Sequence, residues 1–231
     1  MPGSVAFVCA MPMELTPLRK RLSLEASGGV HTGRLGHQPV VAIVTGMGTA
    51  LATEGTERLL DAVEVDRVIV VGITGAVDNE TPIGTVILPE VVVDAATGAE
   101  YRPAPLGDAT PAGKMWTTDV LITDLAVIAD LRTRGVVSLD METAAIAAVC
   151  ERRGVPWSVF RAISDRATDG SVDEEVFRLS NQDGTPNPKA VAAYLLKHPG
   201  RAPAMARMGR DAKLATERAA AAAIDAVSRR P

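Results

Sequence analysis

The chain predicts an α/β fold built on an open sheet, and three observations carry the prediction. Short apolar runs at residues 5–9, 39–45, 67–71 and 85–93 have the length and composition of buried strands, and helical patterns at 13–22, 49–62 and 123–133 alternate with them. Gly46-Met47-Gly48 turns one such strand directly into a helix. Near residue 140, two hydrophobic strands end in carboxylates: Val136-Val137 runs into Asp140-Met141-Glu142, and Trp157 to Phe160 runs into Arg161 and Asp165.

Each element has its own reason. Residues 13–22 place Leu15, Leu18 and Leu22 on one side of a short helix. Residues 28–36 and 39–45 read as a hairpin and a core strand, and Thr49 reads as the N-cap of the helix that reaches Ala62. The strand at 67–71 is expected to end in the glycine turn 72–76, and the strand at 85–93 is interrupted by Pro89. From 95 to 114 the composition shifts to Gly, Pro, Ala and Thr, which reads as a loop. The apolar helix at 143–151 is closed by Arg152-Arg153-Gly154 and Pro156, so residues 136–165 read as a βαβ unit with acids at the carboxyl ends of both strands, where ligands sit in open α/β sheets. The stretch 167–173 is polar, Pro186 and Pro188 start a helix, and 199–203 break the pattern. Residues 204–228 form one long Ala/Arg helix, expected to be a packed cap with a solvated charged face.

At 231 residues and 47% hydrophobic content, the chain suits a single domain able to bury roughly 70–75% of its unfolded surface. A net charge of −4 and a pI near 5.5 give no electrostatic footprint for nucleic acid. The longest mostly apolar run, 68–77, is far too short to span a membrane, and the amino terminus lacks a signal-peptide pattern, so a soluble cytoplasmic protein is expected. Cys9 and Cys150 read as buried reduced thiols. His31, His37 and His198 show no close pairing with cysteine that would suggest zinc.

Four segments together resemble the nucleoside phosphorylase/nucleosidase superfamily, nearest its methylthioadenosine/S-adenosylhomocysteine nucleosidase branch. They are the run from Ala10 to Glu14, Gly46-Met47-Gly48, the run from Asp140-Met141-Glu142 into the alanine-rich helix, and the run from Arg161 to Asp165. A weaker fifth, from Asp119 to Ile122, is similar to the segment flanking the purine. The resemblance implies a three-layer αβα sandwich around a twisted mixed sheet, with residues 1–231 as one domain carrying a helical extension from about 187. It also implies cleavage of a purine nucleoside's N-glycosidic bond without cofactor or metal, by a homodimer. On this reading Asp165 is the general acid to the purine, Ser164 orients it and Glu14 activates water. Glu142 accepts from the ribose hydroxyls and Met141 packs on the sugar. Arg161 helps hold the water or a carboxylate, Gly48 and Gly75 allow close approach to the ligand, and Ile122 touches the purine. Each has an ordinary alternative: Glu142 as a first-turn acid, Asp165 as a loop or N-cap aspartate, Glu14 as a helix-opening glutamate, Arg161 as a structural ion pair, the glycines as turns and Ile122 as core.

Related hexameric phosphorylases carry an arginine and a serine around the glycine turn to hold phosphate. The positions here resemble Val70 and Ile73, whose side chains cannot bind an anion, and Glu14 suits water better than phosphate. Hydrolysis is therefore favoured over phosphorolysis. Ile73 also departs from the nucleosidases' serine, and the 95–114 segment is shorter than theirs, leaving Tyr101 and Trp116 as the candidate aromatics. The tail is similar to the hopanoid-associated phosphorylase-like branch, and a futalosine hydrolase-like activity stays open. So does a non-catalytic nucleoside-binding protein, although binding alone has no need of an acid and a base together. Gly46-Met47-Gly48 lacks the third glycine of a dinucleotide fingerprint.

Overall fold

A computed structural model describes residues 3–168, 173–181 and 183–229. The chain runs through β1 (Ser4–Cys9), α1 (Pro12–Arg21), β2 (Glu25–Ser27), β3 (Val30–Leu35), β4 (Gln38–Val44), α2 (Thr49–Ala62) and β5 (Val65–Ala76). Next come β6 (Val86–Ile87), β7 (Val91–Asp94), β8 (Glu100–Tyr101), β9 (Lys114–Thr117), α3 (Leu125–Thr133), β10 (Val136–Asp140), α4 (Thr143–Arg153) and β11 (Trp157–Arg166). The chain closes with α5 (Glu174–Phe177), α6 (Pro188–Lys197), a 3₁₀ turn at Pro199–Arg201, and α7 (Ala202–Ser228).

Strand alternation builds the layers. Side chains two apart share a face of a strand. Val5, Phe7 and Cys9 of β1, with Ile69, Val71, Phe160 and Ala162, pack against Leu15 and Leu18 of α1 and Ala215, Ala219 and Ala223 of α7. Ala6 and Val8, with Val68, Val70, Trp157 and Val159, pack against Ala52 and Leu59 of α2 and Ile146, Ala147 and Cys150 of α4. The result is helix, sheet, helix around one mixed sheet, as expected. Cys9 and Cys150 are both buried and free.

The sheet order is β2-β3-β4-β1-β5-β10-β9-β7-β8, with β11 against β5 and β6 against β11. β5 is its axis. Val68 pairs with Ala6 of β1 and Trp157 of β11, and Gly75 pairs with Leu139 of β10 and Asp165 of β11. Two expectations are corrected here. Gly72 to Ala76 is not a turn, because β5 continues through Ala76, paired with β11 along that stretch. Residues 136–165 are not a parallel βαβ unit either: β11 runs parallel to β5 and β10 antiparallel to it, so α4 carries the chain from one flank of β5 to the other. The acids still converge, because both strands end beside Gly75.

Thr49 is not the N-cap of α2. Gly48 takes that position at φ +94°, and Asp119 accepts from the Thr49 N–H at 2.8 Å and its hydroxyl at 2.5 Å. Residues 95–114 include the short strand β8, paired with β7. α7 starts at Ala202, two residues earlier than expected, with Arg207, Arg210 and Arg218 exposed on its outer side. Part of the polar stretch at 167–173 lies outside the described residues. Among the described residues, no helix is long and apolar enough to cross a membrane.

Candidate active site

Pro12 opens α1, and the first turn places Glu14 under the end of β1, where it is 1% exposed. Its Oε2 accepts from the N–H groups of Ala10 at 2.8 Å and Met11 at 3.0 Å, and its Oε1 accepts from Ile73 N at 2.9 Å. Burial lifts its proton affinity above the ordinary glutamate range, while Arg161 and the three N–H donors pull the other way. Such a carboxylate is prepared to take a proton.

Arg161 is the hub. It is 2% exposed on β11, and its Nε donates to Thr143 Oγ1 at 3.0 Å and its Nη1 to Ile73 O at 2.8 Å. Nη2 lies 2.9 Å from Glu142 Oε2 and 3.0 Å from Asp140 Oδ2, while Nη1 is 3.8 Å from Glu14 Oε1. Three buried carboxylates around one guanidinium leave excess negative charge when all are ionised. Glu142 is accordingly raised to about 7 by burial, with Arg161 opposing and Asp140 and Glu14 adding to the shift. Burial alone would weaken Arg161's hold on its proton, but Asp140, Glu142 and Glu14 outweigh it. Oε1 of Glu142 accepts from Gly48 N at 3.0 Å, which ties the glycine turn before α2 to the start of α4.

Asp165 reaches the same space from the end of β11. The pairing with β5 shifts between Ile163 and Asp165, so Ser164 occupies an irregularity of the kind that re-aims a side chain. Its hydroxyl donates to Asp165 Oδ1 at 2.5 Å. Gly72 stands beside Glu14 and Gly75 beside Asp165. Three residues of strand separate those glycines by about 10 Å, roughly the span of a nucleoside.

Glu14, Ile122, Met141, Glu142, Arg161, Ser164, Asp165 and Gly75 all line one cavity of about 710 Å³ at the carboxyl ends of β5, β10 and β11. Gly48 is not in its wall and acts on it through Glu142. A sequence profile described as the phosphorylase superfamily matches residues 1–112 and 99–197. The chain belongs to the phosphorylase superfamily. It is 30% identical to a 5'-methylthioadenosine/S-adenosylhomocysteine nucleosidase of Chromohalobacter salexigens, over 71% of this chain and 84% of that protein. A relative of the same description from Exiguobacterium is also 30% identical, over 71% and 86%. The S-adenosylhomocysteine nucleosidase of Streptococcus pyogenes, solved with 5-methylthiotubericidin, shares the fold at a TM-score of 0.75 and 20% identity, over 99% of this chain and 98% of that one.

In this phosphorylase-superfamily site, several positions differ from what the sequence suggests. Tyr101 and Trp116 do not line the cavity: Tyr101 packs against the α2/α4 core, and Trp116 lies under the Arg134 guanidinium, 4.5 Å from ring centroid to carbon. Among the described residues, the aromatic in the wall is Phe177 of α5. Val70 is wholly buried core, whereas Ile73 faces the cavity. Among the described residues, six methionines line it: Met11, Met13, Met47, Met141, Met205 and Met208. Methionine adapts its shape to irregular apolar surfaces, so this wall can mould to a ligand. Met205 and Met208, three residues apart on an Ala/Arg helix, were the available signal that the tail contributes to the site.

Proposed function

We propose that this protein hydrolyses the N-glycosidic bond of a purine nucleoside modified at its 5′ position, of the methylthioadenosine/S-adenosylhomocysteine class, releasing free base and free sugar. One observation carries the reading: two carboxylates, Glu14 beside Gly72 and Asp165 beside Gly75, line one cavity, with Glu142 held in the same wall by Arg161. Bond cleavage leaves a cation-like sugar and a purine that departs more readily once protonated. Asp165, oriented by Ser164, gives the purine its proton. Glu14 takes a proton from water as the water attacks the sugar carbon. Glu142 accepts from the ribose hydroxyls, Met141 packs on the sugar and Ile122 on the base.

Water suits this site better than phosphate. Arg161 is committed to three carboxylates and a carbonyl, and Ile73 offers the cavity an apolar side chain. Arg166, also in the wall, donates to Thr81 O. A phosphate beside Glu14 would meet its negative charge, and Arg161 there is already shared among three carboxylates. The same reading includes a cytoplasmic homodimer. Val120, itself in the cavity wall, is exposed, as are Leu125 and Val127 a few residues further along the chain, and sedimentation velocity tests that association.

The decisive experiment is purine release from methylthioadenosine, S-adenosylhomocysteine, adenosine and inosine, each with and without phosphate. Phosphate-independent release with free sugar as product is expected. Strict dependence on phosphate, with sugar 1-phosphate formed, overturns hydrolysis. Tight binding without release favours a nucleoside-binding protein.

A further inference from the structure

The hydrogen-bond network around Arg161 gives Asp140 a place that the functional reading leaves unused. Asp140 is 6% exposed and sits two residues before Glu142. Its Oδ1 accepts from the Thr117 hydroxyl at 2.5 Å. Its Oδ2 accepts from the Thr143 N–H at 2.8 Å, the Thr143 hydroxyl at 2.5 Å and the Glu142 N–H at 3.2 Å. That many donors fix its position. Oδ2 also lies 3.0 Å from Arg161 Nη2, the same nitrogen that stands 2.9 Å from Glu142 Oε2.

We propose that Asp140 is a positioning residue for ribose recognition: by sharing Nη2 of Arg161, it keeps Glu142 from full neutralisation and so makes it a strong acceptor for the sugar hydroxyls. A carboxylate that owns a guanidinium outright is a weak acceptor for a third group, because its lone pairs and charge are already satisfied. Divided between two carboxylates, Arg161 leaves Glu142 more basic. The charged groups that bear on Glu142 are Asp140 at the end of β10, two residues before it, Arg161 from β11, Glu14 from α1, and Asp119, which holds Thr49 next to the Gly48 amide that Glu142 accepts from. Of the carboxylates among them, Asp140 alone contacts the same nitrogen.

The proposal rests on the assignment of Glu142 to the ribose, so its test has one arm that needs no turnover. In protein labelled with ¹³C at glutamate Cδ, Glu142 is assigned by comparison with Glu142→Gln and titrated in the parent and in Asp140→Asn. The expected result is a titration midpoint above the ordinary glutamate range in the parent and at least one unit lower in Asp140→Asn. An ordinary or depressed midpoint in the parent overturns the proposal without any variant, so a misfolded Asp140→Asn leaves the test intact. An unchanged midpoint in a folded Asp140→Asn overturns it too.

In the kinetic arm, KM for ribosides rises in Asp140→Asn more than kcat falls, the acid limb of kcat/KM moves down in pH, and preference for ribosides over 2′-deoxyribosides drops about tenfold, the equivalent of one pKa unit. A purely structural role predicts lower kcat with both the pH limb and the preference unmoved. A shifted Glu142 titration in a protein that releases no purine would sink the nucleosidase reading and leave the Asp140–Glu142 coupling standing.

Discussion

Gly72 of β5 lies directly against Glu14 of α1: a methyl group on Gly72 would stand 2.3 Å from Glu14 Oε1 and 3.0 Å from Arg161 Nη1. The glycine is needed for space, since its φ lies outside the left-handed region. Gly72→Ala is expected to displace the Glu14 carboxylate from the Ile73 amide, cost about 1–3 kcal/mol through overpacking, and lower kcat at least tenfold. Steady-state kinetics and urea unfolding check it; a variant with parental kcat would remove Glu14 from the mechanism.

Asp165→Asn keeps the shape but cannot donate an acidic proton. Turnover is expected to vanish almost completely while the melting temperature stays near the parent's, and Ser164→Ala, which removes the hydroxyl that donates to Asp165 Oδ1, should fall between the two. Near-parental turnover in Asp165→Asn would end the acid assignment.

Removing the hub should be expensive in a pH-dependent way. Arg161→Met leaves Glu14, Asp140 and Glu142 buried without their cation, a change that costs about 3–5 kcal/mol. Carboxylates relieve such a deficit by taking up protons, so the loss should be larger at pH 8 than at pH 5. Equal losses at both would mean that the carboxylates are not coupled through Arg161.

Glu142 also predicts the shape of the parent's stability curve. Its folded-state pKa is raised to about 7, so between the ordinary glutamate range and about 7 the folded protein keeps a proton that the unfolded chain has lost. Stability therefore falls as pH rises through that window and levels off above it. Glu142→Gln removes this contribution, and thermal melts across the window should show a flatter curve; an unchanged slope contradicts the assignment.

α7 offers a test of packing. Ala219 and Ala223 are completely buried where the helix lies along β5 and β11. Ala219→Leu is expected to cost about 1–3 kcal/mol by overpacking, whereas Arg207→Ala, on the exposed side, should stay within about 0.5 kcal/mol of the parent. Denaturant midpoints decide it.

Much of the site is legible as local pattern. Glu14, Glu142, Arg161, Ser164 and Asp165 sit in short motifs whose neighbours state their place: a strand end, a first helical turn, a strand leading into acid. Asp140 stood in plain view within one of those motifs, yet its role depends on Thr117, Thr143 and Arg161, which the sequence does not place beside it. Local pattern points to Thr49 as the cap of α2 and fails for a similar reason, because the acceptor for the Thr49 N–H comes from Asp119, far along the chain.

Residues 5–9 show where sequence suffices. Alternation of period two sends Val5, Phe7 and Cys9 to one face and Ala6 and Val8 to the other, and such periodicity is a property of neighbouring residues alone. Strand direction is a different matter. Nothing in residues 136–140 says that β10 will dock antiparallel on the last two residues of β5, nor do residues 72–76 announce that their glycines continue a strand. Pairing partners are chosen by the sum of contacts across the whole sheet. The helical tail repeats the lesson: Ala, Arg and Met spell an amphipathic helix, but only the packed layers seat its alanines on β5 and β11 and turn Met205 and Met208 into the cavity wall.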